Sequence, residues 1–236
     1  MKIKRKSILI VLALVLMIEL IIVGVMKNKS DDSSSKIGVS NETSIEAEKI
    51  EMGETYIPVG DGFSIVGIGA YNGAYVEDGS DEYVDNVMMV VIENKGERNI
   101  QLAEFNINGK YEFELTTLLP QETIIVLEKN RQEYSPDLTI TSTELESFAV
   151  FEEKPSMHEE YLEISGDDSL LTINNVSNKD FPGGKVFYKN VADGKLLGGI
   201  TYSAAIPELK AGQGIKMSVN HYMKEFSELI FVTYAE

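Results

Sequence analysis

The chain of 236 residues carries 21 basic and 38 acidic side chains, a formal net charge of −17, 43% hydrophobic residues and no cysteine. Without cysteine there is no disulfide framework, thiolate metal site, cysteine nucleophile or lipid-modified cysteine. So acidic a chain repels phosphate backbones, and no basic run beyond the N-terminus offsets this, which removes nucleic acid from the expected partners.

Chain order begins with Ile8 to Met26, ILIVLALVLMIELIIVGVM, which holds a single ionisable group and follows Lys2, Lys4, Arg5 and Lys6. As a helix it reaches roughly 28 Å, close to the ~30 Å hydrocarbon thickness of a bilayer. The run is longer than a secretory h-region and ends in Val25, Met26, Lys27 and Asn28, with no small-residue cleavage site. Residues 8–26 are therefore expected to be an uncleaved transmembrane signal anchor of a single-pass membrane protein. Four cations precede the span and only Lys27 and Lys29 follow it before Asp31 and Asp32. The basic tail, residues 1–7, is then cytoplasmic and the remainder extracellular. Glu19 lies just past the middle of the span, where fourteen Leu, Ile and Val residues outweigh its cost. It is either a protonated, tolerated acid or the contact point for a membrane partner.

Residues 27–54 are rich in Ser, Asp, Glu and Lys with scattered apolar positions, which predicts a flexible linker. Residues 31–236 hold 15 basic and 37 acidic side chains, a net of −22. That charge serves solubility and self-repulsion, or attracts a cationic partner.

Beyond the linker the apolar period becomes that of strands. The runs are FSIVGIG (63–69), NVMMVVIE (86–93), NIQLAEFNI (99–107), YEFEL (111–115), ETIIVLE (122–128), LTIT (138–141), SFAVFE (147–152), YLEIS (161–165), SLLTINN (169–175), GKVFYKN (184–190), KLLGGITYSAAI (195–206), GIKMSVN (214–220) and SELIFVTY (227–234). No 3.6-residue stripe persists there, so this part is expected to be all-β. Asn108-Gly109 and Asp193-Gly194 predict type I′ hairpins. VMMVVI, apolar throughout, predicts a central strand covered on both faces, and alternating YEFEL a half-exposed one.

An internal repeat is also legible. NKGER (94–98) after VMMVVIE, then Leu118 to Glu122 before ETIIVLE, parallels NVSNK (175–179) after LLTIN, then Leu209 to Gln213 before GIKMSV. Two related β-sandwich modules produce such a pattern, the first over 55–154 and the second over 155–236, divided at the charged stretch EEKPSMHEE. The order TINNVSNKDFPGGKVFYKNVADGKLLGGITY, then LKAGQ, then SELIFVTY, resembles the FxLYD type of immunoglobulin-like domain. Phe187 and Tyr188 occupy its aromatic positions, and Lys189 replaces the acidic residue that follows them. From about residue 84 to 234 the chain also resembles membrane-anchored proteins of Gram-positive bacteria to which no activity is assigned. The resemblance implies two immunoglobulin-like antiparallel sandwiches at a cell surface and carries over no catalytic residue.

Signals for chemistry are sparse. Gly67, Gly69 and Gly73 miss the dinucleotide fingerprint by one position and precede no helix, so a strand with bulges or close backbone approach is expected. His158 and His221 have no nucleophile motif near them and read as surface histidines. Acidic residues are abundant, which by itself signals no glycosidase pair. The loop around Asp78, Asp81, Glu82 and Asp85 offers hard oxygen ligands for Ca²⁺ without EF-hand spacing, so it reads either as a Ca²⁺ site or as a solvated face. Tyr188, Tyr202, Tyr222 and Tyr234 would hold a glycan or a partner strand if they shared an exposed face. No cofactor is expected. The expected role is a non-catalytic interaction or scaffold protein of the cell envelope, meeting an envelope protein or glycan. The alternative is an extracellular sensor or ligand-binding subunit of a membrane complex, and the third reading is a glycan-processing enzyme.

Overall fold

The computed structural model describes residues 56–60, 62–80 and 82–234. The expected span at 8–26, Glu19, the linker over 27–54 and Asp81 lie outside the described residues.

The described chain contains fourteen strands and no helix. The first half holds β1 (Ile57–Gly60), β2 (Phe63–Tyr75), β3 (Glu82–Asn94), β4 (Ile100–Ile107), β5 (Tyr111–Leu118), β6 (Thr123–Leu127) and β7 (Thr143–Val150). The second holds β8 (Leu162–Asp167), β9 (Leu170–Asn175), β10 (Gly184–Ala192), β11 (Lys195–Leu197), β12 (Tyr202–Ile206), β13 (Gly214–Ser218) and β14 (Ser227–Tyr234).

Local chemistry accounts for most of these elements. Both expected hairpins form: Asn108 and Gly109 have φ of 57° and 62°, and Asp193 and Gly194 have 49° and 69°, as type I′ turns require. In β3 every residue from Val87 to Ile92 is buried, because the strand lies between β2 and β6 with apolar side chains against both faces. The pairing of β2 with β3 shifts register between Ile65 and Gly67 and again between Tyr71 and Gly73, as the glycine-rich reading expects. A Cβ on Gly73 would stand 2.8 Å from the Tyr71 hydroxyl.

Three elements differ from expectation. Residues 138–141 form no strand, because the Asn108 side chain already satisfies that segment. Its Oδ1 accepts from the Thr141 and Ser142 amides, and its Nδ2 donates to the Thr139 carbonyl. The run 195–206 is divided into β11 and β12 by Gly198 to Thr201. The short β1, which contains a Pro and a Gly, had no strand signature and is fixed by pairing with β2.

The internal repeat extends to individual hydrogen bonds. At the first corner the Asn94 amide donates to Glu122 O, Gln121 N donates to Asn94 O, and the Asn94 side chain bridges Gly96 N, Arg98 O and Leu118 O. At the second, Asn175 N donates to Gln213 O, Gly212 N donates to Asn175 O, and the side chain bridges Ser177 N, Lys179 O and Leu209 O. The strands follow suit: β2-β3-β6 is repeated by β8-β9-β13, and β5-β4-β7 by β12-β10-β14. Even the bulge recurs, between Glu104 and Phe105 against β7 and between Phe187 and Tyr188 against β14. Each half encloses its own apolar cluster between its two layers, around Phe63, Met88, Phe105 and Phe113 in the first and around Leu171, Val186, Tyr188 and Tyr202 in the second. Replacing either Asn94 or Asn175 by Ala leaves buried carbonyls without donors, each costing about 1–3 kcal/mol. The two variants are expected to lose similar stability in urea unfolding, and a loss at only one corner would show that the repeat is not mechanically equivalent.

The halves differ where they meet. The strands β2 and β3 have 13 residues each, against 6 in β8 and β9, so their hairpin extends as an arm. From the second half, the β10–β11 hairpin reaches back and sets β11 parallel to β6, which joins the halves through an eight-stranded sheet. A third apolar cluster lies under this crossing, with Tyr71, Tyr75, Val91 and Leu127 meeting Ala192 and Leu197. The Tyr202 hydroxyl donates to Val76 O at 2.9 Å on the arm. Counted from the two Asn corners, Lys216 in β13 stands where Ile125 stands in β6. Ile125 is covered by β11, whereas Lys216 is exposed on a strand that pairs on one side only. A charge there discourages further strand addition.

Candidate functional site

The crossing between the halves brings Glu77 near Lys189, one of the two fully buried charged side chains among the described residues, the other being Glu128. β11 follows β6 for two residues, Leu196 opposite Ile124 and Leu197 opposite Ile125, and Gly198 N donates to Ile125 O at 2.6 Å. There the chain turns away, at the two glycines. A Cβ on Gly198 would stand 2.5 Å from Ile124 Cδ1, and one on Gly199 would stand 1.5 Å from Glu77 Oε2. Only residues without side chains admit β6 on one side and a carboxylate on the other.

Glu77, at the end of the arm, fills the space β11 vacates. Its Oε2 accepts the Ile200 amide proton at 2.8 Å. From the opposite side comes Lys189 of β10, which is fully buried. Its Nζ donates to Gly198 O at 2.9 Å, Ile200 O at 3.0 Å and Thr116 Oγ1 at 3.1 Å, which engages all three ammonium protons. Thr116 of β5 adds its amide to Gly198 O at 2.8 Å and its hydroxyl to Gly199 O at 2.6 Å. The irregular loop 198–200 thus has its backbone groups held by side chains from both halves, as buried polar groups require.

Burial pushes the Glu77 carboxyl above the usual carboxylate range, against the charge of Lys189 and the amides of Ile200, Leu127 and Gly199. Burial likewise pushes the Lys189 ammonium well below the usual lysine range, against the charges of Glu77 and Glu122. Although the Leu127 and Gly199 amides favour the ionised form of Glu77, Oε1 is buried without a hydrogen-bond partner in acceptable geometry. A cavity of about 320 Å³ is lined by Glu77, Thr116, Ile200 and Thr201, with Glu114 and Lys129 also among its lining residues. Lys129 is itself bridged to Glu114 at 2.8 Å and to Glu104 at 3.5 Å. A second cavity of about 280 Å³ lies on an apolar flank of the junction, lined by Tyr71, Val76, Leu197, His221, Met223 and Phe226.

The residues singled out in the sequence lie elsewhere or serve differently. Tyr188, Tyr202 and Tyr222 do not form an exposed face. They are 2%, 8% and 4% exposed, with Tyr202 stacked on Tyr188 and Tyr222 edge-on to it, because the inward side of β10 and β12 needs large apolar groups. Tyr234 is exposed and tilts against His158. In the acidic loop, Arg131 donates to Asp78 Oδ2 and Glu82 Oε2, both at 2.6 Å, and lies 4.5 Å over the Tyr75 ring. The guanidinium thereby lies against two of the carboxylates of this loop, and the bonds from Ser80, together with Arg131, hold the Asp78 carboxyl below its usual range. Among the described residues no group of three or more His, Asp or Glu is arranged to hold a metal. His158 and His221 are at left-handed turn positions, with φ of 51° and 57°.

Sequence reasoning missed the electrostatic interaction of Glu77 with Lys189. Its traces were present: a lysine in place of the acidic residue of the resembled pattern, and two consecutive glycines within an otherwise strand-like run.

Compared with known proteins, the chain matches no family model, no curated protein and no solved structure.

Proposed function

We propose that this chain is a membrane-anchored, non-catalytic interaction or scaffold protein of the cell envelope, with a short cytoplasmic N-terminus and two immunoglobulin-like β-sandwich modules outside. The observation that carries this reading is the reciprocal clasp. Each half extends a hairpin onto the other, and β11 continues the sheet from one into the next. Two modules fixed in this way present their outer faces at a set separation and angle, which a flexible pair does not. The apolar run at 8–26 supports an anchor, and the anionic surface of the remainder supports an aqueous, exterior setting.

Two measurements test the reading on the full chain in its cells. Alkaline carbonate is expected to leave the protein in the membrane, and protease added to intact cells is expected to digest it from the C-terminal side of the span. Extraction by carbonate, or a C-terminal portion that resists external protease but not lysis, refutes the topology. Crosslinking from a Glu19→Cys variant is expected to capture a second membrane protein if that residue contacts a partner, and the anchor alone suffices if none is captured.

A further inference from the structure

We propose that the 320 Å³ cavity at the crossing of the two halves binds a small primary ammonium compound, with Glu77 as its anchoring carboxylate. This gives content to the ligand-binding alternative expected from the sequence and is independent of the display reading, since a rigid pair of modules needs no ligand at this place.

The hydrogen-bond inventory of the cavity fixes the ligand class. Glu77 Oε1 is a buried acceptor that no hydrogen bond of normal geometry reaches, although the Leu127 and Gly199 amides act on the carboxylate, and Lys189 does not supply one because its three protons go to Thr116, Gly198 and Ile200. Thr116 directs its hydroxyl proton to Gly199 O, and the Thr201 hydroxyl lies 2.7 Å from Thr116 Oγ1 and donates to Thr117 Oγ1 at 3.3 Å. Hydroxyl protons are therefore already committed inside the loop. On the remaining wall, Glu114 is a second carboxylate, and Lys129 is held by Glu114 and Glu104. The cavity thus offers one carboxylate oxygen without a hydrogen-bond partner, Glu77 Oε1, and is lined by two carboxylates against one lysine, so its vacant role is that of a donor. An ammonium group carries three donors and no acceptor, and a buried carboxylate rewards a charged donor more than a neutral one. The strongly anionic surface raises the local concentration of such a cation. A volume of about 320 Å³ admits a molecule the size of an amino alcohol or an amino sugar.

The test uses the full-length chain in detergent and matched probes that differ only in the charged donor: ethanolamine against ethylene glycol, and glucosamine against glucose. Isothermal titration is expected to show saturable binding of the amines at least tenfold tighter than of their uncharged counterparts. Glu77→Gln is expected to weaken amine binding tenfold or more. Because that variant also disturbs the junction, Glu114→Gln, at a half-exposed position, provides the second reading and is expected to weaken binding severalfold with the unfolding midpoint unchanged. Equal binding of amines and their hydroxyl counterparts, amine affinity unchanged in both variants, or no saturable heat from the folded protein overturns the proposal. Such failure leaves the membrane topology and the display reading untouched, since those are read out by carbonate extraction and protease.

Discussion

Lys189→Met is expected to lower the unfolding free energy by about 3–5 kcal/mol, the cost of leaving a buried charge without its counter-charge. The loss should be deeper at about pH 8 than at about pH 5. In this variant Glu77 stands alone in a buried site, with its pKa raised above the ordinary 4.5 by burial and no longer lowered by Lys189. A raised folded pKa contributes stability that is complete below the unfolded value and is lost as pH rises through the folded one. Glu77→Gln reverses the sign. Lys189 then stands alone with a pKa below its ordinary 10.5, so stability is complete above that value and declines as pH falls through the folded pKa. Urea unfolding of both variants at about pH 5 and about pH 9 should therefore give opposite pH trends. The double variant should lose less than the sum of the singles, since it removes both charges at once. Parallel trends, or strict additivity, would mean that the two groups do not share one buried site.

Gly199→Ala tests the same junction through space instead of charge. The added methyl would stand 1.5 Å from Glu77 Oε2 and 2.1 Å from its carboxyl carbon, closer than any real contact. Either the carboxylate leaves, abandoning the Ile200 amide and the charge of Lys189, or β11 lifts from β6. Both routes break a buried polar network, and a destabilisation of about 3 kcal/mol or more is expected. The diagnostic is its dependence on background. In a Glu77→Ala chain the methyl has room, and the additional cost of Gly199→Ala should fall to about 1 kcal/mol or less, a coupling that a double-mutant cycle reads directly. If the substitution costs the same in both backgrounds, the two residues do not meet and the crossing is built otherwise.

These expected results also mark how much was legible beforehand. The two type I′ hairpins, the doubly covered β3, the glycine bulges of β2 and the Asn corners all follow from short-range rules. Asn-Gly and Asp-Gly tolerate positive φ, continuous apolar runs require cover on both faces, and an Asn side chain can bridge a turn from within it. The locations of Tyr188, Tyr202 and Tyr222 did not follow. Alternation shows that a strand has two faces, and which one the core claims depends on the strand opposite. The separation of β11 from β12 was hidden for a similar reason. Gly198 and Gly199 read as strand glycines until Glu77, 122 residues before Gly199, is placed beside them. Arg131 on Asp78 and Glu82 is another case, since an acidic loop looks free until a distant cation is folded against it.

What the amino-acid sequence settled by itself was the all-β character of the described chain and its duplicated plan, because period-two patterning, turn residues and corner asparagines act over a few positions. The nearness of the Lys189 and Glu77 charges, the parallel seating of β11 on β6 and the cavity beside them were decided only in three dimensions. Burial sets the energy of a charge, and burial is a property of the groups that surround it, which here come from opposite halves of the chain.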